Sequence, residues 1–324
     1  MSELRHHPFL DQWVITATHR QDRTFLPPKD FCPLCPTTPG GFPTEVPFPS
    51  YDIVVFENKF PSLRTPAAPM DVDGTVVTPA RPSEGVCEVV CYSSDHDVTF
   101  ASLPLKQVQK LTRVWRDRYI HLSSREEVEY IFIFENKGKE IGVTLVHPHG
   151  QIYAYPFIPP VLTIEVESER RYYAETGRPL MADVIDQEVN SPRLIYQSEA
   201  FVAFVPFFAR YPYEVYVAPK RHVPSLAEMS ESELDDLART LLVVTRKYDA
   251  LFGFSMPYIM AMHQRPAKGG HDHSWFHVEF YPPYRTESKL KYLAGSEAGA
   301  GAFINDTLPE VTGPRLAAID VADI

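Results

Sequence analysis

Residues 129–153 read "EYIFIFENKGKEIGVTLVHPHGQIY", and residues 257–281 read "PYIMAMHQRPAKGGHDHSWFHVEFY". Each segment runs from one apolar strand to another, with histidines near the second strand. An earlier pair also matches: residues 87–115 and 213–241 each hold an apolar strand, a histidine, a Ser/Thr-rich start and an amphipathic helix. Such a unit is too long for a solenoid repeat. The pattern predicts a tandem duplicated α+β domain, with mainly antiparallel half-barrel-like sheets and flanking helices.

The length and the repeat together predict how the chain divides. A chain of 324 residues favours about two domains, and the repeat places them at 1–160 and 161–324. Edge-to-edge pairing of the two sheets would give one continuous sheet. Ser230 is expected to cap the third helix, with Glu233 completing a capping box. The predicted helices cover 104–121, 163–176 and 230–252.

Composition excludes several classes of function. The formal net charge of −11 disfavours binding to nucleic acid or to an anionic membrane, because both require a basic face. The N-terminal sequence has no apolar core typical of a signal peptide, and no segment approaches the roughly 18 apolar residues of a transmembrane helix. We therefore expect a cytoplasmic protein, in which cysteines serve metals or chemistry more often than disulfides.

The segment "FCPLC" places Cys32 and Cys35 at a spacing that suits two thiolate ligands of one zinc ion. Alone it supplies half a site, and a pair of small residues in a loop is the alternative. His96 and His147, each expected at a strand end, are candidates to complete a Cys₂His₂ site. Such a metal would also fasten the proline-rich residues 27–84, which we expect to be irregular.

His147 and His149 flank Pro148, which holds the segment out of a helix. In an extended chain the two rings point to the same side. A neutral imidazole can bind a metal or attack phosphorus. Gly150 permits close approach of a ligand to the backbone, and the Gln151 amide can donate to a phosphate oxygen. Spacing alone leaves open whether both histidines bind a metal or one is catalytic.

A second group of polar residues lies in the C-terminal half. Two carboxylates and two histidines suit Zn²⁺ or Fe²⁺, and solvated polar residues at a strand end are the alternative. The neighbouring "KGGHDHS" adds two histidines, so spacing does not settle the ligands. The candidates are Glu165, His263, His277 and Glu279.

Several motifs together resemble one family. The chain is similar to galactose-1-phosphate uridylyltransferases, a branch of the histidine-triad superfamily, in "ENKG", "HPHGQIYA", "FCPLC", "VVCYSSDH" and "HVEFYPP". The resemblance covers nearly the whole chain and implies a homodimer of tandem domains with shared active sites. It also implies a ping-pong transfer of UMP from UDP-glucose to galactose 1-phosphate, or a related hexose 1-phosphate, in galactose metabolism.

The resemblance further assigns roles to residues. Cys32, Cys35, His96 and His147 match the family's zinc ligands, and His149 matches the nucleophile that becomes uridylylated. Gln151 matches a residue that supports the phosphate. The remaining matches are substrate-binding positions: Arg20, Arg23, Asn58, Phe60, Asn136, Gly142, Thr144, Lys291, Tyr292 and Glu297.

The sequence also departs from the family pattern. Lys59 stands where the family often has an acidic residue, and Glu279 stands where a histidine is common in the second metal site. An ADP-glucose phosphorylase or related adenylyltransferase is the alternative within the superfamily. A metal-stabilised nucleotide-binding module without turnover is the alternative from a different class.

Overall fold

The computed structural model describes residues 2–22 and 26–321. The described chain contains both strands and helices, which follow one another in runs rather than in strict alternation. The strands are β1 (Ser2–His7), β2 (Gln12–Ala17), β3 (Val54–Glu57), β4 (Ala80–Pro82), β5 (Val86–Cys91), β6 (Tyr130–Lys137), β7 (His149–Tyr155), β8 (Leu194–Gln197), β9 (Phe201–Phe204), β10 (Val215–Pro219), β11 (Tyr258–His263), β12 (His277–Tyr281), β13 (Tyr284–Thr286) and β14 (Lys289–Leu290). The α-helices are α1 (Leu105–Ser123), α2 (Pro160–Thr176), α3 (Leu180–Glu188), α4 (Glu231–Phe252) and α5 (Pro309–Ala317).

Nine strands form one open antiparallel sheet in the order β3-β5-β7-β6-β11-β12-β10-β9-β8. The first half contributes β3-β5-β7-β6, and the second half repeats this order in mirror image as β9-β10-β12-β11. The halves join where β6 pairs with β11, from Lys137 opposite Tyr258 to Ile133 opposite Met262. The α+β class, the duplication and the continuous sheet are therefore confirmed.

One face of this sheet is covered by α1 and α4, which pack against each other. Apolar residues of β6, β7 and β12, including Ile131, Ile152 and Val278, meet Trp115 of α1 and Leu241 of α4 in one buried cluster. Successive strand residues point to opposite faces. The alternate positions of β7, β11 and β12 therefore carry their side chains to the other face.

That second face carries the polar residues that the sequence singled out. His149 and Gln151 of β7 lie on it, as do His263 of β11 and His277 and Glu279 of β12, because each alternates with residues of the helix-covered core. The helix α3 covers the far end of this face through Met181 and Ile185. The candidate chemistry of both halves thus shares one sheet surface.

The three predicted helices correspond to α1, α2 and α4. The capping box is present, since the Ser230 hydroxyl accepts from Glu233 N–H and the Glu233 carboxylate accepts from Ser230 N–H. The helices α3 and α5 were not predicted. Both are short, and α5 contains Pro314, so their patterns are weak.

The proline-rich segment is mainly irregular, as expected, with β3 and β4 as its strands. An additional small sheet, β2-β1-β4, was not predicted. It packs beside the main sheet through Leu4, which contacts a cluster with Tyr153 of β7. No helix in the described residues is long and apolar enough to cross a membrane.

The capping box gives a test of stability. Ser230→Ala removes the acceptor for the Glu233 N–H, so we expect the free energy of unfolding to fall by about 1 kcal/mol. Equilibrium denaturation with urea measures this change. Ser288→Ala, an exposed substitution in the turn between β13 and β14, serves as the control and should stay within about 0.5 kcal/mol of the parent protein. Equal losses in both variants would contradict the capping role.

Candidate functional site

The CxxC motif and two histidines meet beside the end of the sheet. One ligand atom from each of the four residues lies within 4.8 Å of the others. The Cys35 Sγ atom is 3.3 Å from His96 Nδ1 and 3.5 Å from His147 Nδ1. The structure thus brings together Cys32, Cys35, His96 and His147.

The hydrogen bonds of His147 determine which ring nitrogen faces the cysteines. Its Nε2 atom lies 2.8 Å from the Ser93 carbonyl oxygen and 2.6 Å from the Tyr51 hydroxyl. A carbonyl oxygen only accepts, so Nε2 carries the proton and Nδ1 presents a lone pair to Cys35. Burial lowers the pKa of His147 to about 4, which keeps the ring neutral at pH 7. A neutral, oriented imidazole is the form that binds a metal.

The thiols require a cation to become good ligands. Burial, and next the neighbouring Cys32, raises the pKa of Cys35 to about 12. Without a metal this thiol therefore stays protonated at pH 7, and metal binding must release the proton. Two thiolates and two neutral imidazoles form a donor set that zinc prefers. The residues present fit that ion.

A cleft opens next to this cluster, on the face of the sheet that carries His149. The His149 Nδ1 atom lies 2.7 Å from the backbone carbonyl oxygen of His147. Because the carbonyl can only accept, Nδ1–H donates and Nε2 holds the lone pair. The cleft is lined by Pro33, Leu34, Glu45, Phe56, Asn58, Lys59, Phe60, Val89, Thr144, Leu145, His149 and Gln151.

Two polar contacts orient Gln151 in the cleft. Its Oε1 atom accepts from Asn58 Nδ2 at 3.4 Å and from the Tyr153 hydroxyl at 3.3 Å. The amide N–H₂ group therefore remains as the donor side of Gln151. Asn58 is fixed in turn, because its Oδ1 accepts from the Phe60 N–H at 2.9 Å.

The other predicted substrate residues fall into two groups. Asn136 lines an adjoining cavity that His149 also borders, and Gly142 ends a short turn at φ +83°. Arg20 lies behind the cleft, where its Nη1 donates to Ser62 Oγ at 2.7 Å and to the Phe60 carbonyl at 3.3 Å. Arg23 lies outside the described residues.

Lys291, Tyr292 and Glu297 form a separate group. Lys291 Nζ is 3.2 Å from Glu297 Oε1, and the Tyr292 side chain is 75% exposed. Within the residues that the structure describes, none of the three lines the His149 cleft of its own chain. These three predicted substrate-binding residues are therefore not brought to His149 within one chain.

The second cluster is also brought together, with ligand atoms within 4.8 Å of one another. Glu165 Oε2 lies 2.7 Å from His263 Nδ1, and Glu279 Oε1 lies 3.2 Å from His277 Nε2. The His277 Nδ1 atom is 3.0 Å from the Trp275 carbonyl oxygen, so Nε2 is the nitrogen available to a ligand. Two imidazoles and two carboxylates suit Zn²⁺ or Fe²⁺.

Charges inside the second cluster are strongly coupled. Burial opposes protonation, yet the Glu165 and Glu279 carboxylates raise the pKa of His277 to about 9. Glu279 also accepts from Arg210 Nη2 at 2.8 Å and from the Tyr281 hydroxyl. With raised pKa values, protonated His263 and His277 would balance the carboxylates, and a divalent ion would supply the same positive charge.

Sequence reasoning missed the residues that support the two clusters. Tyr51 and Ser93 fix the ring of His147, and Arg210 with Tyr281 holds Glu279. Arg210 was the most detectable, because it is a lone cation in the apolar run "FVPFFARYPYEVYV". The contribution of Ser93 comes from a backbone carbonyl, which no residue pattern indicates.

Comparisons with known proteins agree with this geometry. The N-terminal domain family of galactose-1-phosphate uridyl transferase matches residues 1–159, and its C-terminal domain family matches residues 165–322. A galactose-1-phosphate uridylyltransferase of Thermotoga maritima is 44% identical over 323 residues, which cover 99% of each chain. That of Streptomyces lividans is 40% identical over 269 residues, covering 82% of this chain and 70% of the relative.

Solved structures give the same result. A uridylyltransferase structure superposes with a TM-score of 0.89 at 34% identity and covers 98% of both chains. An ADP-glucose phosphorylase from Arabidopsis thaliana superposes with a TM-score of 0.74 at 23% identity, covering 99% of this chain and 100% of the other. At that identity the second likeness concerns the fold alone.

The first cluster gives a test of metal binding. Cys32→Ser removes one thiolate, so we expect the metal content to fall by about one ion per chain and the free energy of unfolding to fall by about 3 kcal/mol or more. Mass spectrometry of the metals and urea denaturation measure the two effects. Cys87→Ser is the matched control, since Cys87 is equally buried but lies outside the cluster. An unchanged zinc content in Cys32→Ser would contradict the ligand role.

Proposed function

The chain belongs to the galactose-1-phosphate uridylyltransferase family, and from that premise we propose that it transfers UMP from UDP-glucose to galactose 1-phosphate. One observation carries the proposal. Of the two neighbouring histidines, His147 directs Nδ1 toward Cys35, whereas His149 borders the cleft with its Nδ1 held by the His147 carbonyl. In this proposal His147 is the metal ligand and His149, two residues further on, is the nucleophile.

The first half of the reaction uses the lone pair on His149 Nε2. This nitrogen attacks the α-phosphorus of UDP-glucose, an N–P bond forms, and the P–O bond to glucose 1-phosphate breaks. The imidazole gains positive charge as the bond forms. The His147 carbonyl oxygen, 2.7 Å from Nδ1, accepts the Nδ1–H bond and stabilises that charge without reorganisation.

The second half returns the enzyme to its starting state. Glucose 1-phosphate leaves, and galactose 1-phosphate attacks the uridylyl group through a phosphate oxygen. The N–P bond to His149 breaks, and UDP-galactose is released. A sugar phosphate is a good leaving group, so we assign no general acid, and positioning supplies most of the rate.

The cleft supplies the positioning. The Gln151 N–H₂ group donates to a non-bridging phosphate oxygen, because its Oε1 already accepts from Asn58 and Tyr153. Phe56 and Phe60 provide apolar surface for the uracil ring. Asn136, Gly142 and Thr144 are assigned to the phosphates and ribose side of the nucleotide.

We assign zinc to the first cluster and a second Zn²⁺ or Fe²⁺ to the cluster around His277. In the first cluster Cys32, Cys35, His96 and His147 would hold the ion, which would fix the proline-rich loop against the strand end and take no part in bond making. The loop contributes Pro33 and Leu34 to the cleft. Loss of the ion would therefore loosen one wall of the nucleotide site.

We also propose a homodimer in which each cleft is completed by the partner chain. The exposed Tyr292, with the preorganised Lys291–Glu297 pair, is available to another molecule but lies apart from its own cleft. The two domains are assigned to 1–160 and 161–324, which the family matches to 1–159 and 165–322 support. A cytoplasmic location remains a prediction from the sequence.

Labelling tests the proposed function directly. Incubation with UDP-glucose carrying a labelled α-phosphate, without acceptor, should leave acid-labile label on His149, because the uridylyl group stays on the enzyme until an acceptor arrives. Peptide mapping locates the label. ADP-glucose should give none, and label from ADP-glucose alone would favour the phosphorylase alternative. No label from either donor would contradict covalent catalysis.

A matched pair of variants controls the labelling experiment. His149→Asn should take no label and keep its zinc, whereas His147→Asn should lose zinc. Label on His149→Asn would show that another residue is the nucleophile. A panel of hexose 1-phosphates added to the labelled enzyme then identifies the preferred acceptor.

Mixed dimers test the shared active site. His149→Ala and Tyr292→Ala chains should each be weak alone, but coexpressed chains should recover up to about a quarter of the parent activity. This follows because half of randomly formed dimers are mixed and each mixed dimer holds one intact site. Transferase assays on the coexpressed protein measure the recovery. His149→Ala with Gln151→Ala is the control, since both changes lie in one cleft and no site is restored.

A further inference from the structure

Behind the strand that carries His149, the structure buries the Tyr92 hydroxyl and the Glu135 Oε2 atom, and neither has a hydrogen-bond partner in the described part of the chain. The side chains are 1% and 4% exposed. Burying such a group unpaired costs about 1–3 kcal/mol. Nothing in the proposed reaction uses either group, so their presence calls for another role.

Tyr92 contacts the chain on both sides of the nucleophile. Its backbone N–H donates to the Pro148 carbonyl oxygen at 3.1 Å. Its hydroxyl lies against Gly150, where a Cβ atom would be only 2.1 Å from the phenol oxygen. Pro148 and Gly150 flank His149, so Tyr92 alone contacts the backbone on both sides of that histidine.

The Tyr92 ring has little freedom to move. It packs edge-on against Phe100 and Trp115, with ring centroids 5.9 and 6.2 Å away. Both partners are fully buried and stack on each other with an interplanar angle of 1°. Side chains that are packed this closely cannot move aside, so the Tyr92 ring keeps its position against the backbone. The phenol is therefore a rigid stop for the backbone at Gly150.

Glu135 lies next to the phenol on the helix-covered face of β6. Its Oε1 accepts from the Tyr258 hydroxyl at 3.4 Å, and the residue borders the cavity behind Pro148 and His149. Burial raises the pKa of Glu135 to about 7. Burial, and next the Glu135 carboxylate, raises the pKa of Tyr92 well above its ordinary value. Each group thus acts on the pKa of the other, which places the Glu135 carboxyl group within electrostatic reach of the phenol.

We propose that Tyr92 and Glu135 are positioning residues for His149. The phenol, held by its packing and backed by the Glu135 carboxyl group, fixes the backbone from Pro148 to Gly150. Both residues act from the helix-covered face of the sheet, and the His149 imidazole faces the substrate phosphorus on the other side. The inference rests on the proposed uridylyl transfer, in which a displacement of about 1 Å costs on the order of a hundredfold in rate.

Two conservative substitutions test the inference. Tyr92→Phe removes only the hydroxyl, and Glu135→Gln keeps the shape of the side chain. We expect each to lower the single-turnover rate of His149 labelling by about tenfold. The KM for UDP-glucose should stay within about twofold, because neither side chain lines the cleft that holds His149 and Gln151. The double variant should be no slower than either single variant, since the two groups act as one unit.

A matched control separates positioning from stability. Tyr248 is an equally buried tyrosine whose hydroxyl donates to the Tyr213 carbonyl at 2.7 Å, away from the nucleophile. Tyr248→Phe should lower the urea midpoint and leave the labelling rate unchanged. Zinc content should be the same in all of these variants, because none of the substituted residues is a cluster ligand.

A steric rescue tests the contact itself. Gly150→Ala places a methyl group 2.1 Å from the Tyr92 oxygen and should nearly abolish labelling. Adding Tyr92→Phe removes that oxygen and should restore the rate by about tenfold. Recovery stays partial, because the Tyr92 Cζ and the Phe134 carbonyl oxygen remain 3.0 and 3.1 Å away.

The outcomes are distinguishable. Label on the parent protein, with Tyr92→Phe and Glu135→Gln reacting at the parental rate, would overturn the positioning role and leave the proposed function intact. A fall in the labelling rate that merely parallels the fall in stability, as judged against Tyr248→Phe, would also overturn the positioning role. Failure of the parent protein to take label would overturn the proposed function, and the inference with it.

Discussion

The hydrogen bond from His149 Nδ1–H to the His147 carbonyl oxygen, 2.7 Å long, joins the two chemical parts of this protein. On one side, His147 is buried and directs its ring toward the cysteines. On the other, His149 borders the proposed nucleotide cleft. The bond fixes the tautomer of His149 and, in the proposed reaction, places an acceptor where positive charge would develop. A cluster that fixes His147 would therefore also fix the carbonyl group that is proposed to assist His149.

The same contact recurs in the second half, where His277 Nδ1 lies 3.0 Å from the Trp275 carbonyl oxygen. His277 thus occupies the position in β12 that His149 occupies in β7, and Glu279 follows it as Gln151 follows His149. Duplication supplied two equal scaffolds. In the first half, the neutral amide of Gln151 lies beside an open cleft. In the second half, carboxylates and Arg210 lie around His277. The neighbours rather than the strand geometry differentiate the two sites.

Prediction from the sequence succeeded where periodicity is strong and residue types are specific. The long amphipathic helices and the strand repeat were readable, because burial on one face imposes a period. The CxxC motif and the histidines identified the candidate ligands, since few other residue types bind zinc. The helix α5 was missed because Pro314 weakens its pattern. Arg210 was missed because the cluster residue that it contacts, Glu279, lies 69 positions further along the chain.

By itself, the sequence determined the fold class, the duplication, the family and the residue types available for chemistry, because these depend on local period and on motifs. Spacing alone left His147 and His149 as equivalent candidates, since both lie on one short extended segment, and the resemblance to the family gave them different roles. The tertiary structure gave the two rings different surroundings, because His147 lies in the cluster with Cys35 and His96. It also placed Tyr92 behind Gly150, a contact between side chain and backbone that no spacing along the chain encodes.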